Sequence, residues 1–262
     1  MVAKYALRST ALLYLAFLLV LPVALVFRRT FEHGVSPVWA ALTAPNAVHA
    51  LTVTLQVALL AVLANTVFGV MAALLVVRHE FPGKRLLNAF IDLPVAVSPV
   101  VTGLALILIY GRFEPIGGWL FRHGVNVIFA LPGMVIATIF VSLPLVARAV
   151  IPVLTEIGTE QEQAARTLGA GVFQTFRRIT LPSIRWALAY GVVLTLARCI
   201  GEFGAVAVVS GRLVGRTQTV TLYVQERFEG FDIAGAYAAS FLLALIAIVI
   251  LVTINVIRPK EA

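Results

Sequence analysis

The chain has 262 residues, of which 61% are hydrophobic and only 12% are charged. A soluble domain usually carries about twice that charged fraction, and a disordered chain needs few apolar residues, so both classes are excluded. In so apolar a chain the net charge of +8 indicates Lys- and Arg-rich cytoplasmic loops rather than nucleic-acid binding. The composition therefore predicts a membrane protein with one lipid-embedded domain, residues 1–262.

Six apolar stretches are each long enough to cross about 30 Å of hydrocarbon. A backbone in lipid must satisfy its own hydrogen bonds, and the stretches lack the apolar and polar alternation of barrel strands, so they predict helices. The first stretch ends in Arg28-Arg29 without a convincing cleavage site, which favours a retained helix over a signal peptide. The predicted spans are 9–27, 50–77, 93–111, 124–147, 186–211 and 233–257.

The basic residues of the loops predict an orientation. With a cytoplasmic N-terminus, twelve Lys and Arg residues lie inside and seven outside. Because cytoplasmic loops carry the excess of basic residues, we expect both termini to be cytoplasmic, although Arg28-Arg29 opposes the rule. The longest cytoplasmic connection is then 148–185.

Part of this connection, residues 159–176, has helical periodicity. Apolar residues recur at spacings of three and four and predict one apolar helical face. Thr159 and Glu162 have the form of a capping box, so a short amphipathic helix is expected to begin there. Such a helix either lies on the membrane or its own bundle, or docks its apolar ridge into a groove of a partner. The predicted apolar face consists of Ala165, Leu168, Val172 and Phe176.

The residues after this helix complete a recognisable spacing. Gln163-Ala164-Ala165 is followed after three residues by Gly169, and after nine more by Ile179-Thr180-Leu181-Pro182. This run resembles the loop signature of permease subunits of bacterial ATP-binding-cassette importers, which reads Glu-Ala-Ala, three residues, Gly, nine residues, Ile-x-Leu-Pro. The one departure is Gln163 at the position of the family glutamate, with an acid, Glu162, one residue earlier.

The resemblance implies an all-α fold, that of type I importer permeases, with six transmembrane helices and a cytoplasmic coupling helix seated in a cleft of a separate ATPase subunit. Leu181-Pro182 are expected to end the coupling segment. The chain has no G-x-x-x-x-G-K-[ST] loop for nucleotide phosphates, so ATP and Mg are expected on partner ATPase subunits and no cofactor on this chain. The coupling residues so implied are Glu162, Gln163, Ala164, Ala165, Leu168, Gly169, Val172, Phe176, Ile179, Leu181 and Pro182.

The predicted fifth span contains two charges, Arg198 and Glu202, four residues apart. An unpaired charge near mid-bilayer costs about 2.5–3.5 kcal/mol or more, so these residues should pair with each other or face a polar cavity. They are therefore candidates either for a structural ion pair that fixes the bundle or for the lining of a translocation path. The small and polar residues Gly201, Gly204 and Ser210 are candidates for the same region.

A second resemblance covers most of the chain after the second span. Gly201-Glu202-Phe203-Gly204-Ala205-Val206, Thr217-Gln218-Thr219 and Thr221-Leu222-Tyr223-Val224 resemble the sulfate branch of the sulfate and molybdate permeases. Within that branch the chain is similar to the second of two permease subunits of bacterial sulfate and thiosulfate importers. The resemblance implies an inner-membrane assembly with a second homologous permease, two ATPase subunits and an extracytoplasmic sulfate-binding protein.

The loop after the fifth span carries groups that bind oxyanions. Arginine and hydroxyl side chains supply the charge and the hydrogen-bond donors that a dianion needs. The loop could therefore meet an arriving anion, although an ordinary solvated loop in contact with a partner remains the simpler interpretation. The residues concerned are Arg212, Arg216, Thr217, Gln218 and Thr219.

Two further functions remain open alternatives. A molybdate or tungstate importer permease is one alternative, because the choice of sulfate rests on the second resemblance alone. An ATP-independent transporter or an intramembrane enzyme is less well supported, because such proteins usually show several buried acids, inverted repeats or convergent catalytic groups. The histidines have no metal-ligand spacing, and neither a metal site nor a catalytic site is expected.

Overall fold

The computed structural model describes residues 2–32 and 34–257, and this part of the chain is almost entirely helical. Arg258 and Lys260, which contribute to the charge asymmetry, lie outside the described residues. Five stretches are long and apolar enough to cross a membrane, or six if one bent helix pair is a single span. The helices are Val2–Leu15 (α1), Leu21–Phe31 (α2), Val35–Thr43 (α3), Pro45–Arg78 (α4), Lys84–Ala96 (α5), Pro99–Tyr110 (α6), Pro115–Arg122 (α7), Leu131–Ser142 (α8), Pro144–Ile157 (α9), Glu160–Thr167 (α10), Val172–Thr175 (α11), Leu181–Ile200 (α12), Gly204–Val209 (α13), Val220–Glu229 (α14) and Ile233–Ile257 (α15).

The first, second and last spans agree well with the sequence prediction. The first crossing, Leu7–Phe31, joins α1 and α2 through the π-helical turn Ala16–Val20. The second, α4, begins five residues earlier than predicted, because Pro45 occupies a first helical turn, where its missing N–H costs nothing. The last, α15, has the predicted bounds.

The third predicted span, 93–111, is wrong as a continuous helix. The chain breaks between α5 and α6, whose axes differ in direction by 112°. Pro99 provides the physical reason, because it disfavours helical geometry in the preceding residue, and Ser98 has extended angles of φ −59° and ψ 134°. The helix that follows the break has only 12 residues.

The fourth and fifth predicted spans are displaced, and the connection between them is much shorter than 148–185. The fourth crossing covers Leu131–Ile157 instead of 124–147, and the fifth covers Val172–Ile200 instead of 186–211. Both errors come from ending an apolar run at an arginine. Arg148 and Arg185 lie on continuing helices with exposed side chains. Only residues 158–171 lie outside the two crossings.

The sequence predicted that Leu181-Pro182 end the coupling segment, and this prediction is wrong. A π-helical turn, Phe176–Thr180, leads without interruption into α12. Pro182 occupies the first turn of α12, where a proline needs no hydrogen-bond donor. The helix instead ends at Ile200, and α13 starts after a break at 201–203.

The centre of the bundle is where α4, α9 and α12 pack on one another. Val146 on α9 is fully buried there. A Cβ atom on Gly69 would lie 2.7 Å from the Val146 Cβ, and one on Gly191 would lie 3.1 Å from its Cα. Small residues at a helix contact let the two backbones approach closely. In lipid, where the hydrophobic effect does not drive helices together, such close packing stabilises their association. The three helices therefore form one tightly packed unit.

Candidate coupling and translocation sites

Residues 158–171 form a compact projection at one end of the bundle. Gly158 and Gly169 have φ values of 68° and 84°, a left-handed conformation that glycine adopts without steric cost, and they flank α10. The side chains of Leu168, Val172 and Phe173 are 88%, 77% and 74% exposed. Three large apolar side chains exposed together beside polar Gln174 and Arg178 are typical of a surface that meets a partner protein.

The predicted apolar face is only partly correct. The chain turns at Gly169, so residues before and after it do not follow one helix. Leu168 and Val172 are exposed, whereas Phe176 packs against the core around Ile184 and Ala165 is half-buried. Phe173, which sequence periodicity did not select, joins the exposed group instead.

Glu162 faces the bundle and not solvent. Its Oε2 lies 3.1 Å from Nε of Arg78, and its Oε1 accepts hydrogen bonds from Arg78 Nη2 at 3.2 Å and from the Thr180 hydroxyl at 2.8 Å. Arg78 also donates to the carbonyl of Leu154 at 3.1 Å. This buried cluster joins the ends of α4 and α9 to α10 and to the turn before α12.

The capping box predicted for Thr159 and Glu162 is wrong. The Thr159 side chain makes no capping bond to the backbone, and its hydroxyl accepts a bond from Gln163 Nε2 at 3.0 Å. Glu162 instead contacts Arg78 and Thr180.

The remaining residues of the motif divide between surface and support. Gln163, Ala164 and Gly169 are exposed, as is Pro182 at the start of α12. Ile179 and Leu181 are half-buried against the bundle. The first group can contact a partner directly, and the second anchors the turn that carries it.

Arg198 and Glu202 form the expected ion pair, with Nη1 and Oε2 2.6 Å apart. The two side chains differ sharply in exposure, 37% for Arg198 and 2% for Glu202. Glu202 also accepts a hydrogen bond from the backbone N–H of Ala205 at 2.9 Å, which caps α13. The carboxylate is thus held in the break, while part of the guanidinium remains accessible.

The two helix breaks lie side by side. A Cβ atom on Gly204 would lie 3.1 Å from the Pro99 Cβ, and one on Gly103 would lie 2.7 Å from the Val208 Cβ. Helix α13 therefore runs alongside α6, with both starting from interrupted backbone. Gly201 is exposed at this level, and Ser210 is fully buried at the far end of α13. Interrupted helices inside a membrane are tolerated where they are buried in protein or line a cavity.

The five candidate residues of the outer loop separate into two exposed and three buried ones. Arg212 and Arg216 are exposed, and Arg212 has a left-handed φ of 53°. Thr217 and Gln218 are instead structural: the Thr217 hydroxyl donates to the Ser210 carbonyl at 2.5 Å, and Gln218 Nε2 donates to Glu226 at 2.8 Å. Of the five residues that could meet an arriving anion, Thr217, Gln218 and Thr219 are buried, and only Arg212 and Arg216 are exposed.

Sequence reasoning missed several polar contacts. Arg78 and Arg148 were counted as loop residues, yet Arg78 holds Glu162 and Arg148 forms a two-point ion pair with Asp92 of α5, its Nε 2.7 Å from Oδ1. Nothing in the sequence pairs residues so far apart.

Within the described ranges, the side chains form no cluster of His, Cys, Asp and Glu suited to a metal ion.

The fold and these sites define a class: a multi-pass helical membrane protein with interrupted helices, a buried ion pair and an exposed apolar projection. A family model for the binding-protein-dependent transport system inner membrane component matches residues 65–260. The chain belongs to this family.

Relatives agree with this assignment. A sulfate transport system permease protein CysW of Synechocystis sp. is 49% identical, covering 98% of this chain and 93% of that protein. CysW of Escherichia coli K12 is 46% identical, with coverages of 95% and 85%, and CysT of the same strain is 35% identical, with coverages of 96% and 91%.

Solved structures share the fold. A chain of a bacterial ABC transporter that imports the acidic polysaccharide alginate superposes with a TM-score of 0.80 at 17% identity, covering 97% of this chain and 93% of that one. A chain of an amino acid ABC transporter gives a TM-score of 0.53 at 20% identity, with coverages of 81% and 92%. The prediction of an ABC importer permease fold is thus confirmed.

Proposed function

We propose that the chain is the permease subunit of an ATP-driven importer that carries sulfate and thiosulfate across the cytoplasmic membrane. The observation that carries the proposal is the 46–49% identity, over nearly the whole chain, to relatives named as sulfate transport permeases. A partly exposed Arg198 within a membrane helix fits a dianionic cargo, because guanidinium groups bind oxyanions at two points.

The permease works with other chains. A second homologous permease completes the membrane channel, an extracytoplasmic binding protein delivers the anion, and two ATPase subunits bind ATP and Mg. The exposed group Leu168, Val172 and Phe173 supports contact with an ATPase, because the described part of this chain leaves these large apolar side chains uncovered at a projection. Arg212 and Arg216 are exposed on the outer loop and are available to the binding protein.

Both termini lie on the cytoplasmic side in this proposal. The Thr30 hydroxyl donates to the Tyr237 carbonyl at 3.2 Å, so the end of the first crossing and the start of the last lie together. The start of α4 packs at the same level, Ala47 with Ala239, and its other end carries Arg78, which contacts Glu162 of the projection. The other ends of the first and last crossings therefore point toward the side that carries the coupling projection. That side must be cytoplasmic, because ATP is supplied there.

In the proposed mechanism, closure of the ATPases displaces the coupling projection. Glu162 passes this displacement to the ends of α4 and α9 through Arg78 and to α12 through Thr180. Helix α12 carries Arg198, which pairs with Glu202 in the break that follows the helix. Movement of the projection thus alters the access of the anion to Arg198.

Uptake of radiolabelled sulfate tests the function. Membrane vesicles or liposomes containing the assembled importer should accumulate sulfate only with ATP on the ATPase side. Unlabelled thiosulfate should compete, and molybdate or tungstate should compete weakly. Stronger competition by molybdate or tungstate would reassign the cargo to those anions, and accumulation without the ATPase subunits would refute the ATP-driven mechanism.

A further inference from the structure

The crossing made of α8 and α9 contains a defect in its hydrogen-bond ladder. Pro144 has no N–H group, so it cannot donate to the Phe140 carbonyl. That carbonyl accepts instead from the N–H of Leu143 at 3.3 Å, a bond three residues back along the chain. The carbonyl of Ile139, the usual acceptor for Leu143, therefore loses its partner within the helix.

Asn65 on α4 occupies this defect. Its Nδ2 donates to the Ile139 carbonyl at 3.1 Å and to the Ser142 hydroxyl at 2.8 Å, and its side chain is fully buried. A proline break is tolerated in a membrane helix when a neighbouring helix satisfies the freed backbone group. Asn65 performs this task across the α4–α8 contact.

The helix beyond the break leads to the coupling projection. Val146 lies two residues after Pro144, against Gly69 and Gly191, where the three helices are closest. From there α9 runs to Ile157 and reaches α10 through Gly158. A displacement of the projection thus passes along α9, through Pro152 inside the helix, to the interrupted turn at Leu143–Pro144.

We propose that Asn65 is a positioning residue that keeps the backbone break at Leu143–Pro144 open, so that α9 and the coupling projection move together about this point relative to α8. The inference rests on the proposed function, in which an ATPase moves the projection. Asn65 contacts neither cargo nor ATPase. It acts by replacing the donor that a continuous helix would supply to Ile139.

A double-mutant cycle tests this role. Pro144→Ala restores an N–H at position 144, which can donate to the Phe140 carbonyl. The Leu143 N–H can then donate to the Ile139 carbonyl, and the bond from Asn65 to that carbonyl becomes redundant. Asn65→Ala should therefore lower the thermal unfolding midpoint of the detergent-purified full-length protein, and Pro144→Ala should reduce that loss to less than half. If Asn65→Ala prevents accumulation in the membrane, restored accumulation in the double mutant is the expected result.

Ser142→Ala is the matched control, because it removes the Asn65–Ser142 bond and leaves the bond to Ile139. Its effect on the midpoint should be the same in the native chain and in the chain that carries Pro144→Ala. An equal loss from Asn65→Ala in both backgrounds would overturn the proposed role, since Asn65 would then act through packing alone.

Transport by the assembled importer supplies a second measurement. Closing the ladder with Pro144→Ala should lower sulfate moved per ATP hydrolysed by about fivefold or more, in the range of allosteric couplings, while the protein stays folded. An unchanged ratio would overturn the hinge. If the wild-type importer moves no sulfate, the proposed function fails, whereas the stability cycle still reports on Asn65.

Discussion

Glu202 holds Arg198 at 2.6 Å while it also caps the next helix through the N–H of Ala205 at 2.9 Å. One buried carboxylate thus serves a cation and a helix start on the two sides of a chain break. Removing the acid leaves both without a partner, whereas removing Arg198 leaves the cap in place. The two residues are therefore unequal members of the pair.

Charge reversal separates these contributions. Arg198→Glu and Glu202→Arg should each reduce assembly and sulfate uptake, with the larger loss from Glu202→Arg, because the buried position 202 would then hold an unpaired arginine and lose the bond to Ala205. The double reversal should restore more assembly than either single change. Co-purification of the partner subunits and uptake measure the effect. If assembly and uptake in the double mutant do not exceed those of the better single mutant, the two residues do not act as a pair.

Gly169→Trp should leave the bundle folded and abolish substrate-stimulated ATP hydrolysis. A Cβ atom at Gly169 meets nothing within 4 Å among the described residues, so the bulky ring projects into the space required by the ATPase. Gly124→Trp is the matched control, because Gly124 also has a positive φ, 80°, and open surroundings, and it lies before α8, away from every contact proposed here. Stimulation retained in Gly169→Trp, or lost equally in Gly124→Trp, would contradict the assignment of the coupling surface.

Glu162→Gln should weaken coupling as well as stability. The amide keeps an acceptor for Thr180 but leaves the buried Arg78 guanidinium without its counter-charge, at a cost of about 1–3 kcal/mol. We expect a lower thermal midpoint and ATP hydrolysis that no longer responds to sulfate. Glu160→Gln, at an exposed position on the same helix, should change neither quantity. Normal stimulation in Glu162→Gln would exclude this route of transmission.

Gly103→Ala tests the contact between the two interrupted helices. The added Cβ would lie 2.7 Å from the Val208 Cβ and 2.9 Å from the Ala205 carbonyl oxygen, so α6 and α13 must separate. Overpacking of this kind destabilises by about 1–3 kcal/mol, which should appear as a lower unfolding midpoint and reduced transport. Gly171→Ala, whose Cβ meets nothing within 4 Å in the described part of the chain, should leave the midpoint unchanged.

Hydropathy was sufficient to predict a helical membrane protein and the bounds of α15, because a 25-residue apolar helix has no competing structure in lipid. It failed where local chemistry overrides composition. Pro99 breaks an apolar run, and Arg148 lies within a continuing helix with its side chain paired to Asp92. Composition alone reports neither event.

The position of the coupling segment in the chain was predictable from its motif, but the directions of its side chains were not. Fixed spacing around Gly169 located the segment, since a left-handed turn there requires glycine. The inward direction of Glu162 was not predictable, because its partner Arg78 is 84 residues away in the chain. Likewise, Asn65 shows its role only beside the carbonyl freed by Pro144.

Cys199 is the only cysteine of the sequence, and its thiol is buried beside the Ser142 hydroxyl at 3.4 Å. Maleimide and nitroxide reagents therefore have no native target on the folded surface. A cysteine introduced at Phe173 or at Arg212 would be labelled selectively in an otherwise unaltered chain. The natural sequence thus serves as its own background for measuring distances across the bilayer during a transport cycle.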